Sequence, residues 1–281
     1  MKSIYPKEIP TALLQNYIQN AVVPRPIALA STIDKEGNIN LSPFSFFNIF
    51  SANPPILIFS PARRIRDNTE KHSLQNALEV GEVSINIVNF DMVEQISLAS
   101  SEYEKGINEF TKAGLTEVKS TLISPPRVAE SPASFECKVK QILPLGNEGG
   151  AGNLIICEIV LMHFQDDILD SKGLIDPTKI DAVARMGGNW YCRTIKESMF
   201  EIEKPIFSKG MGFENLPIWI RKSKVLTSNE LAKLAGVEKI PSQEQFAEML
   251  IEKTDQADKE ILASKLLQEN KVLEAWKVLL Q

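Results

Sequence analysis

Residues 63 to 76 read RRIRDNTEKHSLQN, and the first nine of them set Arg63, Arg64, Arg66 and Lys71 against Asp67 and Glu70. The local charge is +2 in a chain whose net charge is −5. A patch of this sign suits a small anion. Thr69, Lys71, Ser73 and Asn76 offer hydrogen bonds to phosphate oxygens, and a helix starting near Ser73 would add backbone N–H groups and a favourable dipole. The plain alternative is a solvated loop that collects cations and binds nothing. Upstream, NLSPFSFFNIF mixes Ser42, Ser45 and Asn48 with Phe44, Phe46, Phe47 and Phe50. Its rings suit the faces of a flat heterocycle, and its hydroxyls and amides the rim or a polyol chain. The same phenylalanines would equally serve as the plug of a barrel.

Other chemistries find little support. The glycine cluster GNEGGAG, residues 146–152, precedes a strand rather than a helix, so it reads as a mobile hairpin turn and not as a dinucleotide loop. No GxxxxGK[ST], GxSxG or HExxH pattern occurs. His72 and His163 have no ligand-type partner four residues away, which argues against zinc. Asp166, Asp167 and Asp170 read as solvated turn charges. Cys137, Cys157 and Cys192 are odd in number and widely spaced, as expected of small buried hydrophobes rather than of a disulfide framework or a CxxC pair. The negative net charge argues against nucleic acid, whose affinity rests on neutralising many phosphates. Apolar runs such as Ile56 to Phe59 and Leu154 to Met162 fall short of the roughly 20 residues a membrane span needs. No secretory h-region is apparent at the N-terminus, and a cytoplasmic location is expected.

The elements that must position these residues are mostly strands. IALASTIDKEGNINLSPFSFF reads as a hairpin turning at DKEG, NPPILIFSP as a third strand ending at Ser60, and VSINIVNF as a further one. SLQNALE between them carries Leu74, Ala77 and Leu78 at helical spacing and stops at Gly81. DMVEQISLAS reads as a second short helix, and the polar stretch to about Ser134 carries no element of length. SFECKVKQILPL and NLIICEIVLMHF flank the glycine cluster as a second, longer hairpin. Some six strands in short antiparallel connections with two small helices point to a β-barrel rather than a doubly wound sheet. Composition changes near Pro205, dividing the chain into residues 1–204 and a mostly helical extension, 205–281. The last forty residues suggest three amphipathic helices: one capped by Ser242 and Gln245 with Phe246, Met249 and Leu250 inward, one with Leu262 and Leu266, and one with Leu273, Trp276 and Leu280.

Five blocks in order and spacing, RPIALASTIDKEGNINLSPFSFFN, NPPILIFSPARRIRDNTEKHSLQN, GEVSINIV, PPRVAESPASFEC and ARMGGNWY, make roughly residues 20 to 195 resemble the flavin reductase-like, FMN-binding split β-barrel proteins. The resemblance implies a mainly β (α+β), Greek-key-like split barrel with a C-terminal helical extension, assembled as a homodimer with FMN at or near the subunit interface. It implies that Arg25, Pro26, Ser31 and Thr32 lie near the ring system and that Ser45, Phe46 and Asn48 meet the isoalloxazine edge and ribityl chain. Ser60, Arg63, Lys71 and Ser73 would hold the phosphate, and Arg185 and Tyr191 would close the site. The segment from Arg63 to Lys71 is longer than in shorter family members, which leaves the phosphate unassigned among Arg63, Arg64 and Arg66. The implied activity is hydride transfer from NADH or NADPH to flavin N5, with electrons passed to free flavin, a partner oxygenase or another acceptor. Backbone N–H groups around Ser45 to Asn48 would stabilise the N1–C2=O edge. Two readings of other classes stand beside it: a non-catalytic FMN carrier or sensor, and an interaction protein whose helical C-terminus recruits a partner.

Overall fold

Apolar and β-branched runs bounded by proline and glycine become strands in the computed structural model, which describes residues 1–202, 209–242 and 255–281. The chain divides into two units, Met1–Phe200 and Glu201–Gln281. The first begins with helix α1 (Thr11–Ala21) and the short strand β1 (Arg25–Pro26), followed by β2 (Ala28–Ile33), β3 (Ile39–Phe44), β4 (Phe47–Ala52) and β5 (Pro55–Phe59). Helix α2 (His72–Val80) and β6 (Glu82–Ile87) come next, then α3 (Val93–Ala99), α4 (Glu109–Ala113) and the two-residue strands β7 (Glu117–Val118) and β8 (Arg127–Val128). The long hairpin β9 (Ala133–Pro144) and β10 (Asn153–Phe164) precedes β11 (Val183–Arg185) and β12 (Tyr191–Arg193).

Seven strands form one antiparallel sheet in the order β3-β2-β6-β9-β10-β5-β4, and β1-β11-β12 form a small second one. The edge strands β3 and β4 are neighbours in sequence, joined only by Ser45 and Phe46. Three Cα steps span at most about 11 Å. The two edges must therefore approach each other, so the sheet rolls into a barrel left open between the unpaired edges β3 and β4, which Ser45 and Phe46 link. That opening is the split of a split barrel, and it faces the basic loop that follows β5.

The barrel interior holds Ala28, Ala30, Phe44, Phe59, Val83, Ile85, Ile155 and the two cysteines Cys137 and Cys157, with Leu74 and Ala77 of α2 packed against them. Burial pushes the Cys157 thiol up to about 12 and raises that of Cys137 as well, so neither is a thiolate at neutral pH. Strand β2 is buried on both faces: Ala28 and Ala30 point inward, while Leu29 packs outward with Leu41 against Met92, Ile96 and Phe110 of the outer helical layer. This is why IALA, residues 27–30, is a continuous apolar run rather than an alternating one. Gly81 ends α2 in the left-handed conformation (φ 73°), its N–H bonded to the Ala77 carbonyl.

The second unit is helical where described. It contains α5 (Ile218–Arg221), α6 (Ser228–Ala235), α7 (Gln256–Gln268) and α8 (Val272–Leu280) around a core of Leu216, Ile220, Leu231, Leu234, Leu267 and Trp276. Of the helices expected here, the one carrying Phe246, Met249 and Leu250 lies outside the described residues. In α7 the buried apolar positions are Ala263 and Leu267, with Leu266 half-buried and Leu262 exposed. In α8 Trp276 is fully buried but Leu273 faces outward. The elements that go beyond the expectation from sequence include α1, β4 and the short α4 of the first unit and α5 and α6 of the second.

Among the described residues no helix is long and apolar enough to cross a membrane.

Candidate functional site

At the opening of the barrel lies a groove of about 460 Å3. One wall is the end of β3 and its link to β4: Ser42, Pro43, Phe44, Ser45 and Phe46. Ser60, Ala62, Arg63, Arg64, Ile65, Arg66 and Lys71 of the basic loop form the other, with Gln15 and Gln19 of α1 and Ser100 and Glu102 at the ends. The phenylalanines divide the work. Phe44 turns into the core against Phe59, ring centroids 5.3 Å apart, while Phe46 lines the groove and Phe50 stands on the exposed outer edge. Phe44 thus serves as part of the barrel plug, and Phe46 is the ring left at the groove.

The basic loop has a fixed shape. Arg64 N–H donates to the Thr69 carbonyl and Asn68 N–H to the Arg64 carbonyl, both at 2.9 Å, with Asn68 in the left-handed region (φ 58°) that asparagine tolerates. The glycine-rich hairpin turn between β9 and β10 buttresses it. Arg63 N–H donates to the Ala151 carbonyl at 2.8 Å, Gly150 N–H to the Arg63 carbonyl at 2.9 Å, and Asn68 Nδ2 to the Asn147 carbonyl at 2.9 Å. A Cβ at Gly149 would stand 3.0 Å from the Arg64 oxygen and the Ile65 Cα, and one at Gly152 2.6 Å from Ser60 Oγ. The turn expected to be mobile is a packing surface, and its glycines let two backbones touch.

The four cations differ in what they already hold. Arg63 is spent within the loop, donating to Asn68 Oδ1 (2.7 Å), the Asn68 carbonyl (2.8 Å) and Glu70 Oε1 (2.5 Å). Arg64 donates to Glu102 Oε1, Thr69 Oγ1 and the Glu70 carbonyl. Arg66 reaches Asp67 and the second Glu102 oxygen. Among the described residues Lys71 has one ion-pair partner, Glu102, at 3.7 Å. Burial, followed by the charge of Arg64, holds the Lys71 ammonium below its ordinary pKa, while hydrogen bonds from Arg64 and Arg66 outweigh desolvation and hold Glu102 below the usual carboxylate range. A second, wider depression of about 700 Å3 lies on the far side of the same loop, among Arg63, Arg64, Arg66, Glu70, His72, Gln75, Glu102, Tyr103 and Glu104. Ionic side chains dominate it, and it lacks the Pro43 and Phe46 wall; of the two, the smaller groove is the one that combines an apolar face with hydroxyls and a cationic end.

Of the residues singled out from sequence, Ser45, Phe46, Ser60, Arg63 and Lys71 line that groove. Arg25 stands behind it. Its guanidinium is buried, with Nε 3.5 Å from Ser45 Oγ and the remaining donors on the carbonyls of Gln19, Val22 and Met186. Burial and then the neighbouring Arg185 lower its pKa. Arg25 thereby ties the end of α1 and the β11–β12 turn to the groove wall, with Pro26 beside it in the β1–β11 ladder. Arg185 lies over the Tyr191 ring, 4.5 Å from its centroid, and donates to the Gly188 carbonyl. Asn48 is exposed on β4 and bonds the Ile49 N–H.

Three of the expected residues are turned into the core, away from the groove. Ser31 and Thr32 are fully buried in β2, Thr32 accepting from Asn76 Nδ2, and Ser73 is buried and donates to Asn40 Oδ1 at 2.6 Å. Asn40 in turn donates to Glu109 Oε1 at 2.8 Å, so the hydroxyl of Ser73 belongs to an internal chain joining α2, β3 and α4. Arg64, one of the three arginines left open for the phosphate, also lines the groove, whereas Gln15, Gln19 and Glu102 were not among the expected site residues; the glutamines sit on the unexpected helix, and Glu102 is more than thirty positions beyond the cations it meets.

The flavin reductase like domain matches residues 20–180. The chain belongs to the flavin reductase-like family. Component B of nitrilotriacetate monooxygenase from Bacillus cereus superposes with a TM-score of 0.67 at 29% identity, covering 72% of this chain and 98% of that one. The 2-nitrobenzoate 2-nitroreductase of Pseudomonas fluorescens gives a TM-score of 0.66 at 27% identity, covering 75% and 100%. A Shewanella frigidimarina protein with a split barrel domain gives 0.59 at 28%, covering 70% and 96%. The split barrel expected from sequence is the fold of this flavin reductase-like chain, joined to C-terminal helices beyond the family match.

Proposed function

We propose that this flavin reductase-like chain binds FMN in the groove at the barrel split and serves as an NAD(P)H-dependent flavin oxidoreductase. The observation that carries this reading is the groove itself: an apolar wall at Pro43 and Phe46, hydroxyls at Ser42, Ser45 and Ser60, and a cationic end at Arg64, Arg66 and Lys71, in about 460 Å3. That volume lies within the roughly 300–1,000 Å3 of small-molecule pockets. The chemistry of the lining suits the ligand: a flat ring could lie against Phe46, a polyol could bond the serine hydroxyls and a phosphate the basic loop. When bound, FMN supplies a two-electron acceptor for a hydride from reduced nicotinamide. The chain's own part is positional: Arg25 fixes the Ser45 wall, the glycine turn fixes the loop, and Arg185 stacked on Tyr191 borders the same end of the barrel. With no dinucleotide-binding loop in the sequence, the nicotinamide would bind in the open part of the groove, with modest affinity.

A homodimer accompanies this reading. Strand β4 is a sheet edge that exposes Asn48, Ile49 and Phe50, an apolar surface that a second copy would cover. The Bacillus cereus neighbour is a monooxygenase component, which favours delivery of reduced flavin to an oxygenase; the Pseudomonas neighbour is a nitroreductase, which favours direct reduction of an organic acceptor.

The test is anaerobic stopped-flow absorbance of the FMN-loaded protein mixed with NADH or NADPH. Rapid bleaching of the flavin band by one donor is expected. Tight FMN with no bleaching by either donor would remove the enzyme reading and leave a flavin carrier.

A further inference from the structure

Glu102 occupies the position an anion would take. Its carboxylate receives Arg64 Nε at 2.8 Å on one oxygen and a terminal Arg66 nitrogen at 3.0 Å on the other, and Lys71 Nζ lies 3.7 Å away. The three cations come from the loop after β5, whereas Glu102 follows α3. It lines both the groove and the wider depression behind it, so it stands in their shared wall. Its side chain is 42% exposed, on a stretch with no regular structure. Swinging it into water breaks contacts with the cations and disturbs no core packing.

We propose that Glu102 is a displaceable internal counter-ion, whose place among Arg64, Arg66 and Lys71 is taken by the terminal phosphate of the bound ligand. This rests on the reading of the groove as a flavin site. A phosphate monoester carries close to two negative charges and three acceptor oxygens, against one charge and two oxygens for a carboxylate. Three converging donors therefore match the phosphate better, and the exchange goes forward. Until then Glu102 offsets part of the cluster's charge, screens it from weaker anions and lowers the affinity that the bare cations would give. A flavin lacking phosphate has nothing to offer in exchange and leaves Glu102 where it is. The residue thus sets both the preference for a phosphorylated ligand and the ease with which that ligand leaves.

The experiment compares the dissociation constants of FMN and riboflavin for the wild-type protein and for Glu102→Gln, which keeps size and one acceptor oxygen but removes the charge. Thermal melts confirm that the exposed substitution leaves the fold intact. The expected result is roughly three- to thirtyfold tighter FMN in the variant, the combined worth of the exposed ionic contacts that no longer have to be broken. Riboflavin should change by less than about twofold, so the ratio of the two constants widens. An unchanged ratio, or one that narrows because Glu102 positions the cations instead of competing for them, overturns the proposal while leaving the flavin site standing. Wild-type protein that binds neither flavin overturns the site reading, and the counter-ion role with it.

Discussion

Lys71→Ala tests the cationic end of the groove. Lys71 contributes no side-chain cap to α2, and the backbone bond from Leu74 N–H to the Lys71 carbonyl survives the substitution, so the start of the helix is not disturbed. Its ion-pair partner Glu102 lies 3.7 Å away, too far for a strong hydrogen bond, so little internal energy is lost with the side chain. The effect should fall on the ligand. A hydrogen bond to a charged group contributes about 1.5–3 kcal/mol, and each 1.4 kcal/mol is tenfold in affinity, giving about 10- to 150-fold. Arg64 and Arg66 remain beside the phosphate, which favours the lower end, about tenfold. Titration by quenching of flavin fluorescence at two ionic strengths is the assay. FMN should weaken about tenfold and riboflavin less than about twofold, and the salt dependence of FMN binding should flatten, because one fewer exposed charge remains to be screened. Equal weakening of both flavins would mean that Lys71 acts through the shape of the loop, and no weakening of either would leave the phosphate to the arginines alone; either result refutes a direct bond from Lys71 to the phosphate.

Gly149→Ala should displace the basic loop, since its Cβ meets backbone atoms at 3.0 Å; the expected cost is about 1–3 kcal/mol in denaturant unfolding, with weaker FMN binding in the same protein. Arg25→Ala should cost about 1.5–3 kcal/mol or more, because the carbonyls of Gln19, Val22 and Met186 all lose a charged donor; urea titration measures it, and an unchanged midpoint would mean that water replaces the guanidinium. Burial pushes the Glu136 carboxyl up, but the N–H groups of Thr121 and Leu122 and the ring of His163 outweigh it, and the folded pKa lies below the ordinary value. A depressed folded pKa stabilises above the unfolded value, about 4.3, and that contribution is lost as pH falls through the folded one; Glu136→Gln should therefore flatten the loss of stability below about pH 4.5, and parallel wild-type and variant curves would contradict this.

The barrel was readable because its strands carry their own punctuation. DKEG turns β2 into β3, prolines flank β5, and GNEGGAG separates β9 from β10. Two of the elements that escaped, α1 and β4, lack a buried face to read. No residue of α1 is buried, so its apolar residues mark no core stripe, and β4 is an edge strand with exposed residues on consecutive positions, so FNIFSA shows no alternation. Helix α6 did leave a signal: Thr227 and Glu230 form a reciprocal capping box that stands in the sequence at the spacing the motif requires.

At the groove the types of residue were legible and their orientations only partly so. Counting charges located the basic loop, but charge alone cannot tell Arg63, whose head is consumed by Asn68 and Glu70, from Lys71, whose ammonium meets Glu102 only at 3.7 Å. The acid that faces three of these cations follows a different helix, and a contact of that separation has no local pattern. The misplaced hydroxyl is another matter. Ser73, Asn76 and Ala77 stand at i, i+3 and i+4, the spacing of one helical face, and Ala77 packs into the barrel, so Ser73 and Asn76 had to turn inward as well. Polar residues on that face require internal partners, and Asn40 and Thr32 provide them. Hydroxyls at the start of a helix are ligand donors only when they lie off its buried stripe, and Lys71, one position before the helix, lies off that stripe and lines the groove.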